Sequence, residues 1–441
     1  MKSVLRNYHS DYLLLVYSFL ALNLGNWLGW NDVRLGIPLI IKYVLFIFAL
    51  VVLIFCRLSK PSKLKGITLI NAIIILFVLW SSVLIVTSIL GFDSLMDIQR
   101  SLADRYFFIP YILPLLLLFT KFDLDFFGIL FKYSYLFLFP AILLQMYSIL
   151  FNFSPMDWYQ QIEGINIFST GAGFLLLVAH ISKNKSVSII SIIYYLLLLV
   201  LVIAYGRRSL VMTSILYLLC MVILRIWSPF LKIFNRIRIY LIGLLIVFIV
   251  ILFGHFITTT YAFERGFNRS AFEESRGVVF EDFNNDFTSN NDWIFGRGLE
   301  GRVYRSIHSE GSSETIENGF LTILLRGGLL YLVPFILILL RASYLGLFCS
   351  RNDLAKALGC IILIHFLGMF AFNLPDYSGQ YILVWISVSA CYSPETIKLS
   401  NVDLYKACLL YTSDAADDLL CVDLGGRRII KKNIYFIISR Y

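Results

Sequence analysis

Twelve stretches rich in Leu, Ile, Val and Phe, and nearly free of charge, leave this chain almost no fold except a bundle of membrane-crossing helices. In hydrocarbon every backbone N–H and C=O must find its partner within the protein, so a long apolar run can only be helical. Crossing a core of ~30 Å takes roughly 20 residues. The expected spans are 12–30, 35–56, 67–90, 106–119, 126–151, 165–182, 187–205, 209–227, 239–258, 319–341, 357–372 and 381–393. Composition agrees, with 59% hydrophobic and only 15% charged residues, where a soluble domain carries roughly 25% charged. A soluble enzyme is excluded.

The expected fold class is therefore all-α: a polytopic membrane protein of about 12 transmembrane helices over residues 1–404, with one large extracytoplasmic loop at 259–318. Orientation follows from Lys and Arg, which favour cytoplasmic loops. With the N-terminus inside, cytoplasmic segments hold fifteen: Lys2, Arg6, Arg57, Lys60, Lys63, Lys65, Lys121, Lys183, Lys185, Lys232, Arg236, Arg238, Arg341, Arg351 and Lys356. The opposite short loops hold five: Arg34, Arg100, Arg105, Arg207 and Arg208. Both termini are expected in the cytoplasm, and the first span reads as a retained signal-anchor.

The net charge of +9 sits in short clusters between apolar runs. It forms no basic stripe interleaved with aromatics, so nucleic acid is not an expected partner. The seven cysteines show no CxxC spacing, and neither disulfides nor a metal site is implied. From about Leu404 the periodicity stops. Residues 405–441, with YKACLLYTSDAADDLL at their start, resemble translated sequencing-adapter sequence and are expected to carry no biology, the true C-terminus being absent.

The 259–318 segment is the one long hydrophilic stretch, with eleven acidic residues, six arginines and no lysine. A loop of this length is more often functional or disordered. Its aromatics, among them Phe272, Phe280, Phe283, Phe287, Trp293 and Phe295, argue for order. It is expected to fold back on the membrane surface, partly as amphipathic helix.

Several residues there and nearby point to chemistry. Arg207 and Arg208 close the seventh span in AYGRRSLVMTS, on the side where cations are disfavoured. Guanidinium suits bidentate binding of phosphate, and headgroup contact by snorkelling side chains is the plainer alternative. Arg276 and the later Arg297, Arg302 and Arg305 either bind an anion or pair with Glu273, Glu274, Glu281 and Asp282. Gly296, Gly298 and Gly301 spell GxGxxG but lack the βαβ setting of a dinucleotide site; a tight turn is expected. Glu317, just before the tenth span, is either a helix cap or a general base, and His308 is a nearby alternative base. Arg326 lies about two turns inside that span, where a cation is costly unless paired or hydrated. His255 and His365 are expected to be buried and satisfied.

With these residues in view, the chain resembles the O-antigen polymerase and O-antigen ligase superfamily. The likeness rests on the arginine ending a middle span, the late outer loop, the FGRGLEGR segment and the ENGFLTILLRGG helix start. It covers 205–340 by motif and the remainder by topology. The resemblance implies transfer of a glycan from undecaprenyl diphosphate to a sugar hydroxyl, at the outer face of a bacterial inner membrane. By carry-over, Arg207 or Arg208, Arg276 and Arg326 would hold the diphosphate. Glu317 occupies the position where ligases have histidine, which favours a repeat-unit polymerase. Neither metal nor cofactor is implied; membrane lipids and a chain-length regulator are the further partners. The alternatives are an O-antigen ligase and a lipid-linked oligosaccharide flippase or other transporter.

Overall fold

The computed structural model describes residues 2–35, 38, 40–61, 69–91, 94, 104–150, 165, 171–181, 185–204, 208–227, 269–304, 306, 312–313, 316, 318–370, 374–401 and 404. The described chain is helical almost throughout. Its helices are α1 (Lys2–Leu35), α2 (Ile40–Ser59), α3 (Leu69–Leu90), α4 (Ile109–Leu117), α5 (Leu124–Leu150) and α6 (Ala172–Val178). They continue with α7 (Lys185–Ala204), α8 (Arg208–Trp227), α9 (Arg269–Asp286), α10 (Asn290–Phe295), α11 (Gly319–Tyr344), α12 (Asp353–Gly368), α13 (Gly379–Tyr392) and α14 (Pro394–Lys398). A two-stranded antiparallel ribbon, β1 (Val303–Tyr304) and β2 (Ser312–Ser313), lies between α10 and α11.

Among the described residues, seven helices are long and apolar enough to cross a membrane: Asp11–Gly29, Ile40–Ser59, Leu69–Leu90, Leu124–Tyr147, Ser186–Ile203, Ser209–Ile226 and Gly319–Cys349. In four other expected spans the described helices are shorter than that. The span at 106–119 is the 9-residue α4, with Pro110 and Pro114 in its sequence. Within the one at 165–182, the described residues form the 7-residue α6, entered at Gly171 with φ 90°, plus one 3-10 turn. Those at 357–372 and 381–393 become α12, with 16 residues, and α13, with 14. At ~1.5 Å per residue, α13 rises about 21 Å, short of a ~30 Å core. The span at 239–258 and residues beyond 404 lie outside the described residues.

The two shortfalls in the last third have a packing reason. Every residue of α13 from Tyr381 to Cys391 is buried, so it is wrapped by protein on all sides. Trp385, fully buried, stacks on Phe77 of α3 at 6.0 Å and meets Phe335 of α11 edge-on at 5.9 Å. By contrast α2 and α3 leave outward stripes exposed, such as Val44, Val51 and Leu58, and Leu76, Leu79 and Val83.

The helix ends sort into two sets. At one end of the bundle Arg57 donates to the Phe119 carbonyl at 2.9 Å, Lys121 pairs with Glu395 at 2.5 Å, and the Arg351 N–H reaches the Ile397 carbonyl at 3.3 Å. His180 contacts Asp353 at 3.3 Å, and Arg225 donates to Ser188 there too. These tie together the last turn of α2, which carries Arg57, and the loops in which Lys121 and Arg351 lie. At the other end Asn26 donates to the Tyr377 carbonyl at 3.1 Å, and Arg105 pairs with Asp376 at 3.1 Å.

Candidate functional site

The second end of the bundle is organised around a break in α11. Gly328 has φ 62° and ψ −169° inside an otherwise helical run, a region of backbone space open essentially to glycine alone. Gly296, which ends α10, has φ 77° and ψ −178°, the same rare conformation. The two meet. A Cβ on Gly328 would lie 2.3 Å from the Ile294 carbonyl oxygen, and one on Gly296 2.6 Å from the Arg326 carbonyl. Only two glycines permit this approach.

The break leaves three consecutive carbonyls to be satisfied from outside the helix. The Leu325 carbonyl accepts from the Arg297 N–H at 2.7 Å and that of Arg326 from the Gly298 N–H at 3.1 Å. The third, of Gly327, accepts from Trp80 Nε1 on α3 at 2.8 Å. The FGRG turn expected to be tight is indeed so, with positive φ at both Gly296 and Gly298, and it is docked on α11.

Arg297 holds the turn in shape. Its Nε donates to Asp292 at 2.9 Å, its Nη1 to Asp286 at 2.5 Å and to the Arg302 carbonyl at 2.8 Å, and its Nη2 to the Asp286 carbonyl at 2.7 Å. The guanidinium also lies over the Phe287 ring at 5.1 Å. Burial pulls its pKa down, but hydrogen bonds to Asp286 and Asp292 and the charges of both outweigh that and raise it. Pairing within the segment was one of the two expectations for these arginines, yet the partners are Asp286 and Asp292. Asp282 instead accepts from the Ser306 N–H and hydroxyl at 2.9 and 3.0 Å. Beneath this network Val279, Phe283, Phe287, Val303, Ile316, Leu324 and Leu325 form a small core of their own, so the hydrophilic segment is folded onto α11.

Arg326 is the deepest cation here. Only 2% exposed, it donates through Nη1 to the Tyr106 carbonyl and faces the Tyr111 ring at 5.9 Å. Direct grip on a diphosphate was the expectation for it; in this conformation the guanidinium is enclosed and points at the segment preceding α4. Its position explains how a cation is tolerated at that depth. Tyr106 follows Arg105, whose side chain is ion-paired with Asp376, and the Arg105 carbonyl accepts from the Tyr377 N–H at 2.6 Å. Arg326, Tyr106, Arg105 and Asp376 thus form one connected line across the end of the bundle.

The start of α11 is capped by Asn318, whose side chain accepts from the Phe320 and Leu321 N–H groups at 3.0 and 3.1 Å. The capping role open to Glu317 is filled by its neighbour. Glu317 itself, His308 and Arg207 lie outside the described residues, as do Arg265, Arg305 and His255. Arg208 opens α8 and Arg276 lies within α9, where the structure describes their backbone. Because Arg225 near the other terminus of α8 meets Ser188 at the first end of the bundle, the Arg208 end of α8 is at the second. His365 is buried as expected, against Tyr381 at 5.4 Å. Among the described residues its Nε2 has no hydrogen-bond partner.

Sequence reasoning passed over Trp80, Asn23, Asn26 and Asp376. A polar pair at i and i+3 in an apolar span, and a carboxylate between two short apolar runs, were the signals available. Among the described residues no trio of His, Cys, Asp or Glu is grouped to hold a metal ion. A cavity of about 250 Å³ lined by Phe122, Asp123, Asp125, Phe127, Glu395 and Thr396 lies at the opposite end of the bundle, away from the glycine contact. Comparison with known protein families, curated proteins and solved structures finds no match to this chain.

Proposed function

We propose that the protein polymerises undecaprenyl-diphosphate-linked oligosaccharide repeat units into a surface polysaccharide, at the extracytoplasmic face of a bacterial inner membrane. In this reading the chain crosses the membrane twelve times with both termini in the cytoplasm, the short α4, α6, α12 and α13 completing their crossings inside the protein rather than through lipid, and the Gly296–Gly328 end of the bundle faces outward. The observation that carries the reading is the contact between FGRG and LLRGG. The two motifs on which the family resemblance rests are separate in sequence and touch backbone to backbone. The sorting of Lys and Arg supports the orientation: Arg57, Lys121 and Arg351 gather at one end, and the Arg208 end of α8 lies at the other.

The reaction breaks the bond between the anomeric carbon of the donor glycan and its diphosphate, and forms a glycosidic bond to an acceptor hydroxyl. Glu317 removes the hydroxyl proton, with His308 as the alternative base. Arg207 or Arg208 and Arg276 hold the diphosphate and stabilise its charge as it leaves. Arg326 acts as a positioning residue, tying the break in α11 to the Tyr106–Arg105 segment.

The test is genetic and chemical. A strain lacking the gene should accumulate single repeat units on the lipid carrier. Long polymer left untransferred would mean a ligase, and units trapped on the cytoplasmic side would mean a flippase; either overturns the proposal.

A further inference from the structure

The hydrophilic segment carries an apolar tip. Helix α10 begins with exposed Asn290 and Asn291 and ends with Ile294, 42% exposed, and Phe295, 45% exposed. Neither side chain joins the segment's own core, which is filled by Phe283, Phe287 and their neighbours.

Where the tip sits decides what covers it. The Phe295 ring is 5.6 Å from that of Trp80, in the middle of α3, a helix with no charged residue. Trp80 is ten residues from the end of α3 at Leu90, about 15 Å along the axis. Leu76 and Val83, one turn to either side on the same face, are 45% and 44% exposed. On the other flank Ile294 abuts Gly328, and the next outward residues of α11, Leu329 and Val333, are 42% and 46% exposed. The tip is continuous with the outward strips of two helices long and apolar enough to cross a membrane.

We infer that α10 is a re-entrant wedge whose Ile294 and Phe295 side chains lie among the acyl chains of bilayer lipid beside α3 and α11. Irregular backbone survives at such depth only where protein satisfies it, and this turn meets that condition. The N–H groups of Gly296, Arg297, Gly298 and Gly301 all donate to protein carbonyls at 2.7–3.1 Å. The charge carried by Arg297 is folded back onto Asp286 and Asp292. The inference stands whatever reaction the protein catalyses.

Spin labels test it. In bilayers, with the native cysteines replaced, a nitroxide on Ile294→Cys should collide with oxygen in preference to a water-soluble nickel chelate, as on Leu79→Cys. The label on Asn290→Cys should show the reverse preference. A label at 294 that behaves like the one at 290 overturns the wedge. The native cysteines can also be kept, with a photo-crosslinking amino acid at position 295. Phospholipid adducts support the inference, and their absence, with crosslinks to protein alone, overturns it.

Discussion

Gly296 and Gly328 pack backbone against backbone, each in a conformation that other residues avoid, and this contact joins a hydrophilic segment to a broken membrane-type helix. Neither glycine is there for flexibility. Each leaves the space that the other's backbone fills.

The contact predicts a graded response to alanine. Gly328→Ala and Gly296→Ala must accept both an unfavourable φ and overlap with fixed backbone, so each should destabilise the protein by more than about 2 kcal/mol. Gly298 also has a positive φ, 79°, but nothing within 4 Å of a Cβ. Gly298→Ala should therefore cost only the conformational term, about 1–2 kcal/mol. Melting of the purified protein in detergent ranks the three. Equal melting temperatures for Gly298→Ala and Gly328→Ala would contradict the packing argument.

Arg297 should matter for order rather than for substrate. Its side chain is spent on Asp286, Asp292 and two carbonyls, so Arg297→Ala leaves partly buried acceptors unmatched at about 1–2 kcal/mol. The raised pKa means its ionised form is favoured in the fold; that contribution is complete below the ordinary arginine pKa and is lost only as pH rises through the still higher folded value. Alkaline titration up to pH 10 should leave the segment in place. Limited proteolysis between α9 and β1 should be faster in Arg297→Ala than in the parent at every pH tested.

How much of this was legible beforehand depends on the range of the signal. The helices α2, α3, α5, α7 and α8 announced themselves through long uniform apolar runs. The break in α11 did not, because Gly327 and Gly328 read equally well as small residues in a continuous span. For α12 and α13, hydropathy reported burial correctly but cannot distinguish burial in lipid from burial in protein, and these two are enclosed by protein. Arg105 and Asp376 are 271 positions apart, a pairing no local pattern reveals. Asn318 was legible in kind: a cap at that helix start is one of the two readings of the adjacent carboxylate, and the asparagine fills it.

Arg326 offers a sharper test of position against contact. Arg326→Met removes the donor to the Tyr106 carbonyl while keeping much of the side-chain volume, and should cost about 1–3 kcal/mol for the unsatisfied acceptor. Since Tyr106 and Arg105 lead directly to Asp376, Asp376→Asn should lower the melting temperature in the same direction. Combining the two should give less than the sum, because contacts in one network are not independent. Full additivity in a double-mutant cycle would separate the two sites.

The diphosphate role of the remaining arginines predicts loss of product without loss of protein. Arg276→Ala, and Arg207→Ala with Arg208→Ala, should each leave single repeat units on the carrier while membrane levels of the protein hold. Normal chain lengths in either variant would remove these residues from the proposed site.

Glu317 and Asn318 are neighbours whose roles can now be pulled apart. Asn318 caps α11 through two backbone N–H groups, so Asn318→Ala should destabilise by about 1 kcal/mol, with polymer still made by the protein that remains folded. Glu317→Gln keeps size and hydrogen bonding but cannot take a proton, so melting should be unchanged while polymerisation falls by about 10²-fold or more. Measuring melting and chain length together gives each variant a different signature. Should Glu317→Gln polymerise normally, the base must be sought elsewhere, and His308→Ala is the variant that decides whether it is the histidine.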